Sequence, residues 1–224
     1  MKPILFNTEM VRAILDGRKT VTRRLMKPQP QQVSGNPPFW HWKDCQWADG
    51  GLGFPESGIK DHVPFKPGDV LYVRETWKNA TGDLAGGGYA LFDTFVYKAD
   101  GKVKGDYPID QLMIEGSWRP SIHMPREAAR IFLRVTDVRA ERLQSIDEDG
   151  AIAEGCVSVV CPACNGIGGR CPDCIGTGAI EPAMLDFVDM WNSTIKKKDL
   201  QLYDWDANPW VWVIEFERVE RDRA

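Results

Sequence analysis

Several stretches of the chain alternate apolar and polar positions with a period of two, the pattern of half-buried strands. KPGDVLYVRETW (66–77) opens with a turn and continues as a strand whose Val70 and Tyr72 face opposite to Leu71 and Val73. ARIFLRVTDVRAERL (129–143) places Ile131, Leu133 and Val135 on one face and Phe132 on the other. WVWVIEFERV (210–219) sets Trp210, Trp212, Ile214 and Phe216 against Val211, Val213, Glu215 and Glu217. The β-branched run Thr20-Val21-Thr22 favours a further strand.

Helical spacing is rarer. Residues 8–16 predict a short helix, capped by Thr8, with Met10, Ile14 and Leu15 on one side and Gly17 as its left-handed stop. Residues 145–155 open with a capping box, Ser145 and Glu148, and close at Gly155. Residues 182–193 predict an amphipathic helix with Met184, Phe187, Val188 and Trp191 inward. Residues 28–65 hold Pro, Gly and Trp without periodicity and read as a long loop insertion. Residues 78–120 are Gly-rich, with weak strand signals near Tyr89–Tyr97. Strands outnumber helices, and no internal repeat is present. The pattern predicts an α+β, β-rich fold: a small mixed β-barrel with flanking helices, one domain over residues 1–224.

Composition leaves this picture in place. Apolar content of 43% and charged content of 27% are ordinary for a globular protein. No apolar run reaches the roughly 18 residues of a membrane span, and MKPILFNTEM lacks the apolar centre of a signal peptide. The expectation is a cytoplasmic protein with no membrane partner. A net charge of −4 argues against non-specific coating of nucleic acid, while permitting a local basic pocket.

Charge changes the picture locally. Arg18, Lys19, Arg23, Arg24 and Lys27 put five cations and no acid into ten residues. A solvated surface is one reading of such a run. The other is a pocket, because the chain turns at Gly17 and Lys19 and Thr22 straddle the junction of turn and strand. A free lysine titrates near about 10.4; crowding by Arg18, Arg23 and Arg24 and partial burial lower that value. The cluster can then activate Lys19 as a base or hold an anionic ligand. Glu154 falls in the last turn of the 145–155 helix, where the dipole disfavours a carboxylate by roughly 0.3–1 kcal/mol. Arg74 and Glu75 follow the strand after PGDV and either line the same pocket or pair as ions at a rim. Trp77, Trp118, Trp210 and Trp212 offer rings for stacking on a base, although alternation puts Trp210 and Trp212 in the core first.

CPACNGIGGRCPDC (161–174) carries two Cys-x-x-Cys pairs separated by six residues. Four thiolates at this spacing suit tetrahedral zinc, and a site with no open position is structural. The predicted ligands are Cys161, Cys164, Cys171 and Cys174, in a four-cysteine zinc knuckle inserted at 156–181. Cys45 and Cys156 remain free thiols.

ILDGRKTVTRR, KPGDVLYVRETW, PSIHMPREAARIFLRVTDV, IDEDGAIAEG and DANPWVWVIEFERV, in that order, resemble the ASCH domain, and in particular its long prophage and phage members. The resemblance implies a PUA-like barrel and a nucleoside or single-stranded RNA as partner. Smaller ASCH enzymes, the N4-acetylcytidine amidohydrolases, use a Lys-Thr-Glu triad. Their GRKTxTxR motif matches Gly17 to Arg24, which implies Lys19 and Thr22 as catalytic residues; the triad glutamate, counted from Ile146, is Glu154. Arg18, Arg23, Arg24 and Arg74 would hold the ligand. The implied function is amide hydrolysis on an N-acylated cytidine; a non-catalytic RNA or modified-nucleotide reader and a ribonuclease are the alternatives.

Overall fold

A computed structural model describes residues 1–33, 39–43, 45–48, 62–84, 88–104, 112–113, 117–167, 169–173 and 178–220. The first half of the chain forms β1 (Lys2–Leu5), α1 (Thr8–Leu15), β2 (Val21–Leu25), β3 (Gln31–Val33), β4 (Phe39–Trp42), β5 (Cys45–Ala48), β6 (Val70–Arg74), β7 (Trp77–Leu84), β8 (Gly88–Tyr97), β9 (Val103–Lys104) and β10 (Leu112–Met113). There follow β11 (Phe132–Arg142), α2 (Glu148–Ala153), β12 (Val159–Val160), β13 (Ala179–Glu181), α3 (Ala183–Thr194), α4 (Leu200–Tyr203) and β14 (Trp210–Val219). The chain divides into two compact units.

The first unit comprises Met1–Gly17, Gly68–Val135 and Glu217–Ala224. Here β1 runs parallel to β6, with Ile4 opposite Val73, and β6 runs antiparallel to the start of β11, with Tyr72 opposite Phe132. Leu71 and Val73 are buried and Val70 and Tyr72 half-buried, as the alternation predicts. A second sheet has the order β10-β7-β8-β9. Its long β7–β8 hairpin occupies the region where the sequence shows only weak strand signals. Trp77, Phe95, Tyr97, Met124 and Phe132 form the core between these elements. The cap of α1 is Asn7, not Thr8: its side chain accepts the Met10 N–H at 2.8 Å. Gly17 stops the helix at φ +76°, as expected.

The second unit comprises Arg18–Pro67 and Thr136–Phe216. Its sheet has the order β11-β14-β2, and β14 lies antiparallel to β2 with Ile214 opposite Thr22. Stretch 28–65, expected as a loop, instead contains the antiparallel β3-β4-β5 meander. The reason is tertiary: Trp40 and Trp42 meet Trp210 and Trp212 edge-on at 5.6 and 5.5 Å, contacts that leave no local periodicity. Leu143, Ile146, Ala151, Phe187, Trp191, Val211 and Val213 build the core. Both faces of β14 are buried from Val211 to Ile214, so its alternation does not separate core from solvent. In α3 the buried positions are Ala183, Phe187 and Trp191, with Met184 and Val188 half-buried.

The capping box is also rearranged. Ser145 ends a short turn, and Asp147 caps α2 by accepting the Gly150 N–H at 2.8 Å. Glu148 reaches away to the N–H groups of Ala183 and Met184, at 2.7 and 3.1 Å. It thereby caps α3, whose own N-cap, Pro182, has no side-chain oxygen.

The fold is mixed α+β and β-rich. Where a closed barrel was expected, every sheet among the described residues is open. Pro3, without an N–H to donate, suits β1 to an edge position. No helix among the described residues is long and apolar enough to cross a membrane.

Candidate functional site

The backbone brings the basic stretch to the end of α2. After the Gly17 turn, the Thr20 N–H donates to the Ala153 C=O at 2.9 Å, and the Phe216 N–H donates to the Thr20 C=O at 2.9 Å. Lys19 is thereby held at the C-terminus of the helix. Its Nζ donates to Glu154 Oε2 at 2.5 Å and to the Glu154 C=O at 2.8 Å, and both residues are only 2% exposed. A helix end presents unpaired carbonyls and partial negative charge, so an ammonium is favoured there. Lys19 thus offsets the unfavourable placement of the Glu154 carboxylate.

The five cations do not form one surface patch. Arg23 turns inward: its Nη1 lies 3.3 Å from Glu154 Oε1, its Nη2 3.9 Å from Glu141 Oε2, and its guanidinium 5.9 Å over the Phe187 ring. Arg23 Nε is a buried donor with no acceptor among the described residues. Gly150 makes room for this side chain, since a Cβ there would stand 3.3 Å from Arg23 Nη2 and 2.9 Å from Ile146 Cγ1. Arg24 is half-buried, and the Glu154 charge acts on it. Arg18 is exposed and donates to the Gly155 C=O at 2.5 Å. Lys27 is exposed over the Tyr203 ring at 5.3 Å.

Thr22 is 1% exposed in β2. Lys19, Arg23 and Glu154 are therefore joined by direct contacts, and Thr22 sits within the same strand segment. Arg74 belongs to the first unit, where its Nε donates to the Met124 C=O at 2.9 Å and its Nη2 to the Ile122 C=O.

Burial holds the Lys19 ammonium below the usual lysine range; the Glu154 carboxylate opposes this and Arg24 adds to it. The expected crowding effect thus comes mainly from desolvation. Three neighbours escaped the sequence reading: Glu141, Gly150 and Cys156. Cys156 was legible as a thiol two residues after Glu154, but its proximity to Lys19 was not. Burial, reinforced by Asp186 and Glu154, pushes its thiol up to about 12, so it stays neutral.

A separate cluster stands on the 156–181 segment. The Sγ atoms of Cys161, Cys164 and Cys171 lie within 4.8 Å of one another, and these three can hold a metal ion. Cys174 lies outside the described residues. The Cys161 and Cys171 sulphurs are 3.9 Å apart, against about 3.8 Å for two corners of a tetrahedron of 2.3 Å metal–sulphur bonds. Glycines let the chain fold back this tightly. Gly166 and Gly178 have φ of +81° and +82°, and a Cβ on Gly178 would meet the Gly166 carbonyl oxygen at 2.5 Å. The Cys161 N–H donates to the Gly178 C=O at 3.0 Å, closing the loop beside the β12–β13 pair.

Comparison with known proteins finds no family model, no curated protein and no solved structure that matches this chain.

Proposed function

We propose that the protein hydrolyses the amide of an N-acylated cytidine or a related nucleoside, with Lys19, Thr22 and Glu154 as its working set. The observation that carries this reading is the buried contact of Lys19 Nζ with Glu154 Oε2, at 2.5 Å, between the two residues that the ASCH motifs single out. The PUA-like assignment rests on those ordered motifs, and the cytoplasm, where thiols stay reduced, is the compartment it implies.

In this reading neutral Lys19 takes the proton of a water, or of Thr22 Oγ1, as the oxygen adds to the acyl carbonyl carbon. The C–N bond then breaks, and the exocyclic amine leaves with the proton returned by Lys19. If Thr22 attacks, water opens the acyl-threonine ester; either route releases the nucleoside and a free carboxylic acid. Glu154 orients Lys19, while Arg18, Arg23 and Arg24 bind the ligand. Arg23 Nε, without an acceptor among the described residues, suits a carbonyl oxygen of the base.

A second reading also has an observation in its favour. At 2% exposure for Lys19 and Glu154, the pair can serve as a strut tying the turn before β2 to the end of α2, in a protein that binds modified nucleotides without turning them over. Incubation with a panel of N4-acylated cytidines, and with single-stranded RNA, separates the two when products are analysed by mass. Release of cytidine supports hydrolysis, whereas retention of every intact acyl nucleoside with measurable binding supports the reader.

The pH dependence follows from Lys19. With its value held below 10.5, the base form gains population as pH rises, and kcat climbs as pH passes through that lowered value. The folded state also binds fewer protons than the unfolded state between the lowered value and 10.5, so stability rises with pH across the same window. A kcat that does not change with pH anywhere in the range where the protein stays folded would contradict Lys19 as the base.

The cysteine cluster is assigned to structural zinc, with Cys174 as the fourth ligand. Protein prepared under reducing conditions without chelator should carry about one zinc per chain by elemental analysis. Gly178→Ala, which meets the Gly166 backbone, should weaken zinc retention in chelator competition by about 10-fold or more. Unchanged retention would show that the close approach of the two glycines does not shape the site.

A further inference from the structure

The segment SWRPSIHMPREA (117–128) of the first unit contains Trp118, Arg119, His123 and Arg126, with no acid before Glu127. Pro120 and Pro125 restrict it to two short turns, Ser121–His123 and Arg126–Ala128. The segment is nevertheless pinned. Trp77 and Arg119 exchange two backbone hydrogen bonds, at 3.2 and 2.8 Å, and Arg74 donates to the Ile122 and Met124 carbonyls. Met124 and Ala128 are buried beneath it, at 1% and 0% exposure.

This platform holds its chemistry outward. Trp118 is 37% exposed, and Arg119, His123 and Arg126 are exposed. Lys78 Nζ lies 4.5 Å from the Trp118 ring centroid, and the Arg119 guanidinium lies 5.2 Å from that of Trp77. Most other large rings among the described residues are packed inside: Trp77 and Trp212 are 3% and 5% exposed. An exposed indole on a cationic face is therefore a local departure in a chain of net charge −4.

We propose that this face binds single-stranded nucleic acid, Trp118 stacking on an unpaired base while Lys78, Arg119 and Arg126 take neighbouring phosphates. An acidic peptide would satisfy the cations but leave the indole without a planar partner. A duplex would keep its base faces stacked internally, out of reach of Trp118. A single strand offers both an open π-face and regularly spaced anions. The proposal does not rest on the hydrolase reading, because none of these residues is in the Lys19 site.

The test is fluorescence anisotropy of a labelled single-stranded oligouridylate of about 12 nucleotides, within the site sizes of such grooves. Trp118→Leu, which keeps an apolar side chain but loses the ring, should weaken binding about 5- to 150-fold, and Trp118→Phe should recover much of it. Arg119→Ala and Arg126→Ala should each lower the slope of log affinity against log salt by about 0.7. Lys197→Ala, which removes an exposed cation outside the 117–128 segment, should bind as the wild type does, which separates this surface from a general effect of charge. Absence of binding, equal binding by Trp118→Leu with an unchanged unfolding midpoint, or equal competition by a duplex of the same length would each overturn the proposal.

Discussion

Glu154→Ala is expected to destabilise the second unit by about 3–5 kcal/mol, because it leaves buried cations without their counter-charge. Lys19 and Arg23 both face the Glu154 carboxylate, at 2.5 and 3.3 Å, and Lys19 is 2% exposed. A loss of that size is a large part of a typical total stability of about 5–15 kcal/mol. Lys19→Met behaves differently. It removes one cation and fills similar volume, while Glu154 keeps Arg23. Its cost should be well under that of Glu154→Ala. Denaturant midpoints at neutral pH check the ordering; equal midpoints for the two variants would mean that the carboxylate is not balancing both cations. Lys19→Met is therefore the variant in which activity can be read without unfolding the site.

The other large effect lies in the first unit. Glu75 is 1% exposed and accepts two hydrogen bonds from Arg130, at 2.8 and 2.9 Å. Arg130 also reaches Asp100 at 2.9 Å and lies 3.9 Å over the Tyr97 ring, whose hydroxyl donates to the Ala128 C=O at 2.5 Å. Burial pushes Glu75 above the usual carboxylate range, and Arg130 opposes it. Arg130→Ala removes that opposition and should cost about 3–5 kcal/mol at neutral pH. The sign of its pH dependence follows. With Glu75 raised further, the folded variant binds a proton that the unfolded chain has released, so the deficit shrinks as pH falls through the raised value. Replacing both partners, as in Glu75→Leu with Arg130→Met, should recover much of the loss. Urea titrations across pH provide the readout, and a deficit independent of pH would rule out Glu75 as its source.

The long alternating stretches were legible in the sequence: β6, β11 and β14 fall where the pattern places them, with burial following the local period in β6 but not along β14, where both faces are buried. The helix stop at Gly17 was legible for a similar reason, a positive φ that glycine alone adopts without strain. What escaped was long-range. The β3–β5 meander depends on Trp40 and Trp42 meeting rings about 170 residues onward in the chain. Glu148 reads as a local capping residue, yet it caps a helix 35 residues away. In the candidate site, Lys19 and Glu154 could be named from motif order, but the inward turn of Arg23 could not. Strand alternation would separate Arg23 from Thr22, and only the packing of Gly150 and Phe187 explains where its guanidinium goes. Arg74, expected just after a strand, is the last residue of β6, and its guanidinium serves carbonyls of the 117–128 segment.

The most direct test of the central claim compares wild type and Lys19→Met on N4-acetylcytidine at matched unfolding midpoints, following cytidine and acetate by mass. The account predicts that the wild type releases both products and that Lys19→Met is slower by about 10²- to 10⁴-fold, the usual contribution of a positioned base. Intact N4-acetylcytidine after prolonged incubation with the wild type, or equal rates for the two proteins, would contradict it.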